Sequence, residues 1–200
     1  MAFAPDGRLF WTERAGTVKV WQNGAAKTFA SVPTSTSGER GLLGLALTPN
    51  FAQDHYVYVF YSRSDNTTLQ RVVRWTDCAG NATSPTTIVD NLPAGPTPNH
   101  KGGRIAFSPD GHLFVTIGDN AADNRMVAQD PSDLRGKVLK YNAGGAPAGI
   151  NGTPVYTLGL RNPFGIAFAP DGRMGITNNG PSGDNNTPCN GCGDIFDLVG

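Results

Sequence analysis

One phrase recurs along this chain, and it limits the possible folds more than any other feature. It runs Met1-Ala-Phe-Ala-Pro-Asp-Gly-Arg-Leu-Phe-Trp-Thr12 and shortens to Leu45-Ala-Leu-Thr-Pro-Asn50. It returns as Ile105-Ala-Phe-Ser-Pro-Asp-Gly-His-Leu-Phe-Val-Thr116 and again as Ile166-Ala-Phe-Ala-Pro-Asp-Gly-Arg-Met-Gly-Ile-Thr177. The prolines stand at 5, 49, 109 and 170, a spacing of 44, 60 and 61 residues. Each phrase is an apolar run, a Pro-Asp-Gly turn in which Pro presets φ and Gly takes positive φ, and a second apolar run. Alternating third runs follow at Val18–Trp21, Arg71–Trp75 and Gly136–Tyr141, with short fourth runs at Ala26–Ala30, Thr86–Val89 and Pro154–Leu158. A strand-built repeat of this period predicts an all-β fold made of β-propeller blades.

About three full blades and half of a fourth fit into 200 residues. Both ends read as strand-like runs, so the expectation is one partial propeller domain over 1–200, truncated at both ends and unstable alone. The first residues carry no basic segment followed by an apolar stretch, so they do not form a secretory signal. No apolar run approaches the ~20 residues that span a bilayer. Sixteen basic and sixteen acidic residues leave no net charge, which argues against nucleic acid as a partner. Cys189 and Cys192 form a Cys-Asn-Gly-Cys pair in a polar loop. Gly193 stands where haem attachment needs His, and no second ligand pair supports zinc. A local disulfide and two loop thiols are both open readings. Cys78 is either free or paired outside the chain.

The repeat specifies architecture, so function must lie in what it leaves unexplained. Four segments stand out: Gly38-Glu-Arg-Gly-Leu-Leu-Gly44, Pro98-Asn-His-Lys-Gly-Gly-Arg104, Gly159-Leu-Arg-Asn-Pro-Phe-Gly165 and Asn178-Asn-Gly-Pro-Ser-Gly-Asp184. The first three lead into an innermost strand, so they would gather at one mouth of the axis. Plainer readings exist for each. Gly41, Gly44, Gly102, Gly103 and Gly165 let inner strands crowd together. Arg40 and Arg104 brace neighbouring blades through carbonyls, and His100 alone reads as a loop histidine. Asp184, Asn185 and Asn186 read either as calcium ligands or as a solvated loop.

Taken in order, the four segments resemble the soluble quinoprotein glucose/sorbosone dehydrogenase family, which includes aldose sugar dehydrogenases using pyrroloquinoline quinone. The resemblance implies a six-bladed propeller and oxidation of aldose sugars at the anomeric carbon, with pyrroloquinoline quinone and Ca2+ as cofactors. It also implies an electron acceptor as partner and a periplasmic or secreted location. His100 matches the general base, and Arg161 the residue that stabilises charge on the quinone oxygen. Glu39, Asn99 and Asn162 match further cofactor contacts, and Gly180 and Pro181 the pair whose carbonyls hold calcium.

Four departures matter. Asn99 stands where glucose-oxidising members carry an Asp that steadies the histidine. Glu39 stands where some members carry Gln. Residues Asn185 to Gly193 look like an insertion, and the basic residues that clamp the cofactor come from later blades in this family. Two other readings compete: a non-catalytic propeller that binds carbohydrate or protein, and a lactonase-type hydrolase.

Overall fold

The computed structural model describes residues 1–122, 125–180 and 193–199. Pro181, Asp184, Asn185, Asn186, Cys189 and Cys192 lie outside them. Among the described residues, fifteen strands form four antiparallel sheets in chain order. The first sheet holds β1 (Ala2–Phe3), β2 (Leu9–Glu13), β3 (Thr17–Gln22) and β4 (Ala25–Ser31); the second holds β5 (Leu42–Leu47), β6 (Tyr56–Ser62), β7 (Leu69–Cys78) and β8 (Asn81–Pro93). The third comprises β9 (Ile105–Phe107), β10 (Leu113–Ile117), β11 (Lys137–Tyr141) and β12 (Val155–Leu158), and the last β13 (Pro163–Phe168), β14 (Met174–Asn178) and β15 (Ile195–Val199). The first strands of successive sheets touch one another, so the sheets are blades of a β-propeller with β1, β5, β9 and β13 innermost.

The repeated phrase forms the hairpin between the first and second strands. In three blades the turn closes the same way. Gly7 N donates to the Ala4 carbonyl at 3.0 Å, Gly111 N to Ser108 at 2.9 Å, and Gly172 N to Ala169 at 2.9 Å. The three glycines hold φ of 87°, 86° and 89°. The second blade, with Pro-Asn in place of Pro-Asp-Gly, replaces this turn with a four-residue helix, α1 (Phe51–Asp54). Phe51 from that helix plugs the core between the first two blades. The fourth strand of the second blade is longer than its sequence suggests. β8 follows β7 over 13 residues because register shifts along the ladder absorb its polar, Pro-containing start.

Strand alternation explains how the blades stack. In β6, Val57, Val59 and Tyr61 pack toward the first blade, while Tyr58 and Phe60 pack toward the third. In β10, Leu113, Val115 and Ile117 face the second blade and Phe114 faces the fourth. Each fully buried apolar side chain contributes about 1.5–3 kcal/mol, so these paired layers account for much of the fold's stability. The first and last blades bury one face each: Phe3, Phe196 and Leu198 are 72%, 65% and 62% exposed.

Where inner strands crowd, side chains are excluded. A Cβ on Gly44 would lie 2.5 Å from the Gly103 carbonyl oxygen of the neighbouring blade. Substituting Gly44→Ala should therefore lower unfolding stability by about 1–3 kcal/mol, seen as a lower urea midpoint. Gly7→Ala meets open space and strains only φ, so it should cost about 1 kcal/mol.

Candidate active site

The three lead-in segments and the end of β14 converge, and a chain of hydrogen bonds joins them. Glu39 Oε2 accepts from Lys101 N and from Asn162 Nδ2, both at 3.3 Å. Asn162 Oδ1 accepts from Gly102 N at 3.0 Å. Asn178 Oδ1 accepts from Asn162 N at 2.9 Å and from Arg161 N at 3.2 Å. Glu39, His100, Asn162 and Arg161 are thus brought together from three blades. Asn162 is buried with both ends of its amide engaged, so it braces the mouth from within.

His100 is partly buried, and its Nδ1 lies 2.6 Å from Asp119 Oδ1. A carboxylate can only accept, so Nδ1 carries a proton, and in the neutral imidazole Nε2 then keeps the lone pair. Asp119 is held in turn. Its backbone N donates to the Arg161 carbonyl at 2.7 Å, and Ala121 N donates to its Oδ1 at 2.8 Å. The carboxylate that orients the imidazole therefore comes from the end of β10. Asn99, expected beside the histidine in that capacity, is exposed and makes no side-chain hydrogen bond among the described residues. The turn at His100, with φ of 53°, carries its sequence neighbour away from the ring. Gly118 leaves room for this arrangement, since a Cβ there would sit 2.1 Å from the His100 carbonyl oxygen.

Arg161 donates one bond, from Nη1 to the Asn179 carbonyl at 3.2 Å. Its remaining N–H groups have no acceptor among the described residues, so they are available to an anionic oxygen. Arg40 and Arg104 behave differently. Arg40 is buried, and its guanidinium donates to the carbonyls of Thr67, Gly95, Pro96 and Thr97 at 3.0–3.1 Å. Arg104 joins blades by donating to the Leu43 and Phe164 carbonyls. Both are braces. Gly180 is buried beside Gly193. Among the described residues no three His, Cys, Asp or Glu side chains gather to hold a metal. Cys78 is free and exposed.

Lys101 is the unexpected member of this cluster. Its side chain is buried, and burial together with the charge of Arg40 pulls its pKa from 10.5 down to about 7. Glu39 and Asp119 oppose that shift only partly.

Several known proteins resemble this chain. The sequence profile of the Glucose / Sorbosone dehydrogenase family matches residues 1–190. Aldose sugar dehydrogenase YliI of Escherichia coli (strain K12) is 30% identical over 200 residues, covering 92% of this chain and 53% of its own. Among solved structures, a glucose dehydrogenase-type oxidoreductase of Thermus thermophilus superposes with a TM-score of 0.86 at 38% identity, covering 98% of this chain and 60% of that one. The PQQ-bound aldose sugar dehydrogenase of Streptomyces coelicolor gives 0.80 at 32% identity, covering 89% of this chain and 55% of that one. The chain spans about half the length of the curated relatives it matches.

Burial of Lys101 has a measurable consequence. Between pH 7 and 10.5 the unfolded chain keeps a proton on this lysine that the folded chain has lost, so stability rises with pH across that window. Urea unfolding of wild type should therefore show a larger gain in stability from pH 7 to pH 10 than the Lys101→Met variant, in which the buried Lys137 still contributes in that direction.

Proposed function

The chain belongs to the glucose/sorbosone dehydrogenase family; from that premise we propose that it forms the base-bearing part of a PQQ- and calcium-dependent enzyme that oxidises aldose sugars at the anomeric carbon. The observation that carries this reading is the His100–Asp119 pair, tied through the Asp119 backbone N–H to the Arg161 carbonyl: a fixed imidazole on one loop, and on the adjoining loop a guanidinium with donors unused among the described residues. PQQ, when bound, would accept the hydride, and calcium would polarise it. The residues present suit such a group, because loops joined by hydrogen bonds carry both spare donors, on Arg161, and a proton acceptor, on His100.

In this reading His100 Nε2 takes the proton of the anomeric hydroxyl as the sugar is oxidised. Asp119 keeps the imidazole in the tautomer that can accept that proton and offsets the positive charge that develops on the ring. Arg161 offers its free N–H groups to oxygen bearing negative charge, and its backbone is pinned through Asn178 so that the guanidinium stays aimed. Glu39 and Asn162 hold the lead-in loops in register. The Gly180 and Pro181 carbonyls are the proposed calcium ligands. An electron acceptor would reoxidise the cofactor, and a periplasmic or secreted location fits a sugar-oxidising enzyme of this kind. Among the described residues no helix is long and apolar enough to cross a membrane.

The test is dye-coupled oxidation of aldoses by the full-length protein with PQQ and calcium. His100→Ala should lower kcat on the order of 10²–10⁴-fold. Asp119→Asn should lose at least about 10²-fold in kcat while still binding sugar, because the amide can hold the wrong tautomer. A well-folded protein that neither binds PQQ nor turns over would instead support a propeller that binds carbohydrate without redox chemistry.

A further inference from the structure

Lys101 is an ionisable side chain that the chemistry above does not use, yet it directly follows His100 and is 1% exposed. Its Nζ donates to the Ala94 carbonyl and, at 3.2 Å, to Asn120 Oδ1. These acceptors bracket the site, since Ala94 lies where the chain leaves β8 and Asn120 directly follows Asp119. Asn120 ties back to the same loop in three more ways. Its Nδ2 donates to the Pro93 carbonyl at 3.2 Å, its backbone N to the His100 carbonyl at 3.3 Å, and its carbonyl accepts from Thr97 Oγ1. The Lys101 backbone is fixed as well, through Glu39 Oε2 on one side and Gln70 Nε2 on the other. Segments 93–101 and 119–120 are thus tied together by several hydrogen bonds, and His100 lies among them in a left-handed conformation, which non-glycine residues adopt uncommonly.

We propose that Lys101 is a positioning residue: its amine clamps the His100 loop to Asn120 and so holds the His100 imidazole against Asp119. A lysine on the surface keeps its amine in water, whereas a buried one must offset its desolvation through the bonds it makes. Two hydrogens reach two acceptors here, and a neutral amine keeps two, so the clamp survives in either protonation state. The charged groups facing it are Arg40, Glu39 and Asp119, one repelling and two attracting the ammonium. Methionine would fill the same space with no donor, leaving the Ala94 carbonyl and Asn120 Oδ1 without this partner. The catalytic consequence rests on the proposed role of His100, whereas the placement of the ring does not.

The deciding experiment follows the Nδ1–H proton of His100 by NMR in full-length protein labelled with 15N-histidine, assigned by its disappearance in His100→Gln. Wild type should show this proton protected from water by its bond to Asp119. Lys101→Met should lose or broaden it, and kcat for aldose oxidation should fall on the order of 10-fold or more with KM little changed. A resonance that is missing from wild type, or that persists unchanged in folded Lys101→Met, overturns the proposal whatever the activity does. Should Lys101→Met fail to fold, Asn120→Ala removes one acceptor of the clamp, and the same two outcomes decide. Loss of the resonance in a protein whose wild type shows no turnover would refute the proposed reaction and leave the positioning role standing.

Discussion

Backbone carbonyls in the loops between strands that find no neighbouring strand need donors, and basic side chains, most of them buried, supply them. Arg40 serves four carbonyls of the second blade and its exit loop. The buried Lys137 serves those of Val127, Ala128 and Arg135, and Arg14, although exposed, plays the same part for Thr36, Gly38 and Arg40. Lys101 completes the set behind His100. An orphaned carbonyl in such a place costs roughly 1–3 kcal/mol, so these long donors permit irregular loops where regular strand pairing is impossible. The same arrangement explains why the mouth is rigid enough to hold functional side chains. It also explains why the cations of the mouth divide into braces and one, Arg161, that keeps donors unused among the described residues.

Below this polar layer the apolar blade faces have a separate role. Tyr58, Phe60 and Val72 pack against Leu113, Val115 and Leu139, while Val59, Tyr61 and Trp75 pack against Phe10 and Val18. Stacking sets the angle between blades, and that angle decides that the lead-in loops of three successive blades meet. Glu39 and Asn162, 123 residues apart, are in contact only because two blade interfaces lie between them. Core and site are therefore coupled through geometry rather than through any shared residue.

Much of this was legible in the sequence, for physical reasons. Pro-Asp-Gly encodes its turn locally, so the hairpins β1–β2, β9–β10 and β13–β14 follow from the phrase alone. Where the phrase changes to Pro-Asn, local coding weakens and α1 appears. At the site, His100, Glu39, Arg161 and Asn162 stood out as polar residues in otherwise glycine-rich lead-ins. Asp119 did not, because its partnership with His100 depends on the register of β9 against β10. It follows its blade's second strand, much as Asn178-Asn179-Gly180 end the second strand of the next blade, and that parallel was the available signal. Lys101 carries no signal in the sequence that sets it apart from other lysines; only the fold shows that it is buried.

The central claim is that Asp119 fixes His100 so that Nε2 is presented to a sugar hydroxyl. A crystal structure of the full-length protein with PQQ, calcium and a bound aldose tests this most directly. The account predicts His100 Nε2 within about 3.2 Å of the anomeric hydroxyl oxygen, with Nδ1 still bonded to Asp119. An aldose bound at the quinone with His100 turned away from it, or with another side chain on that hydroxyl, would contradict it.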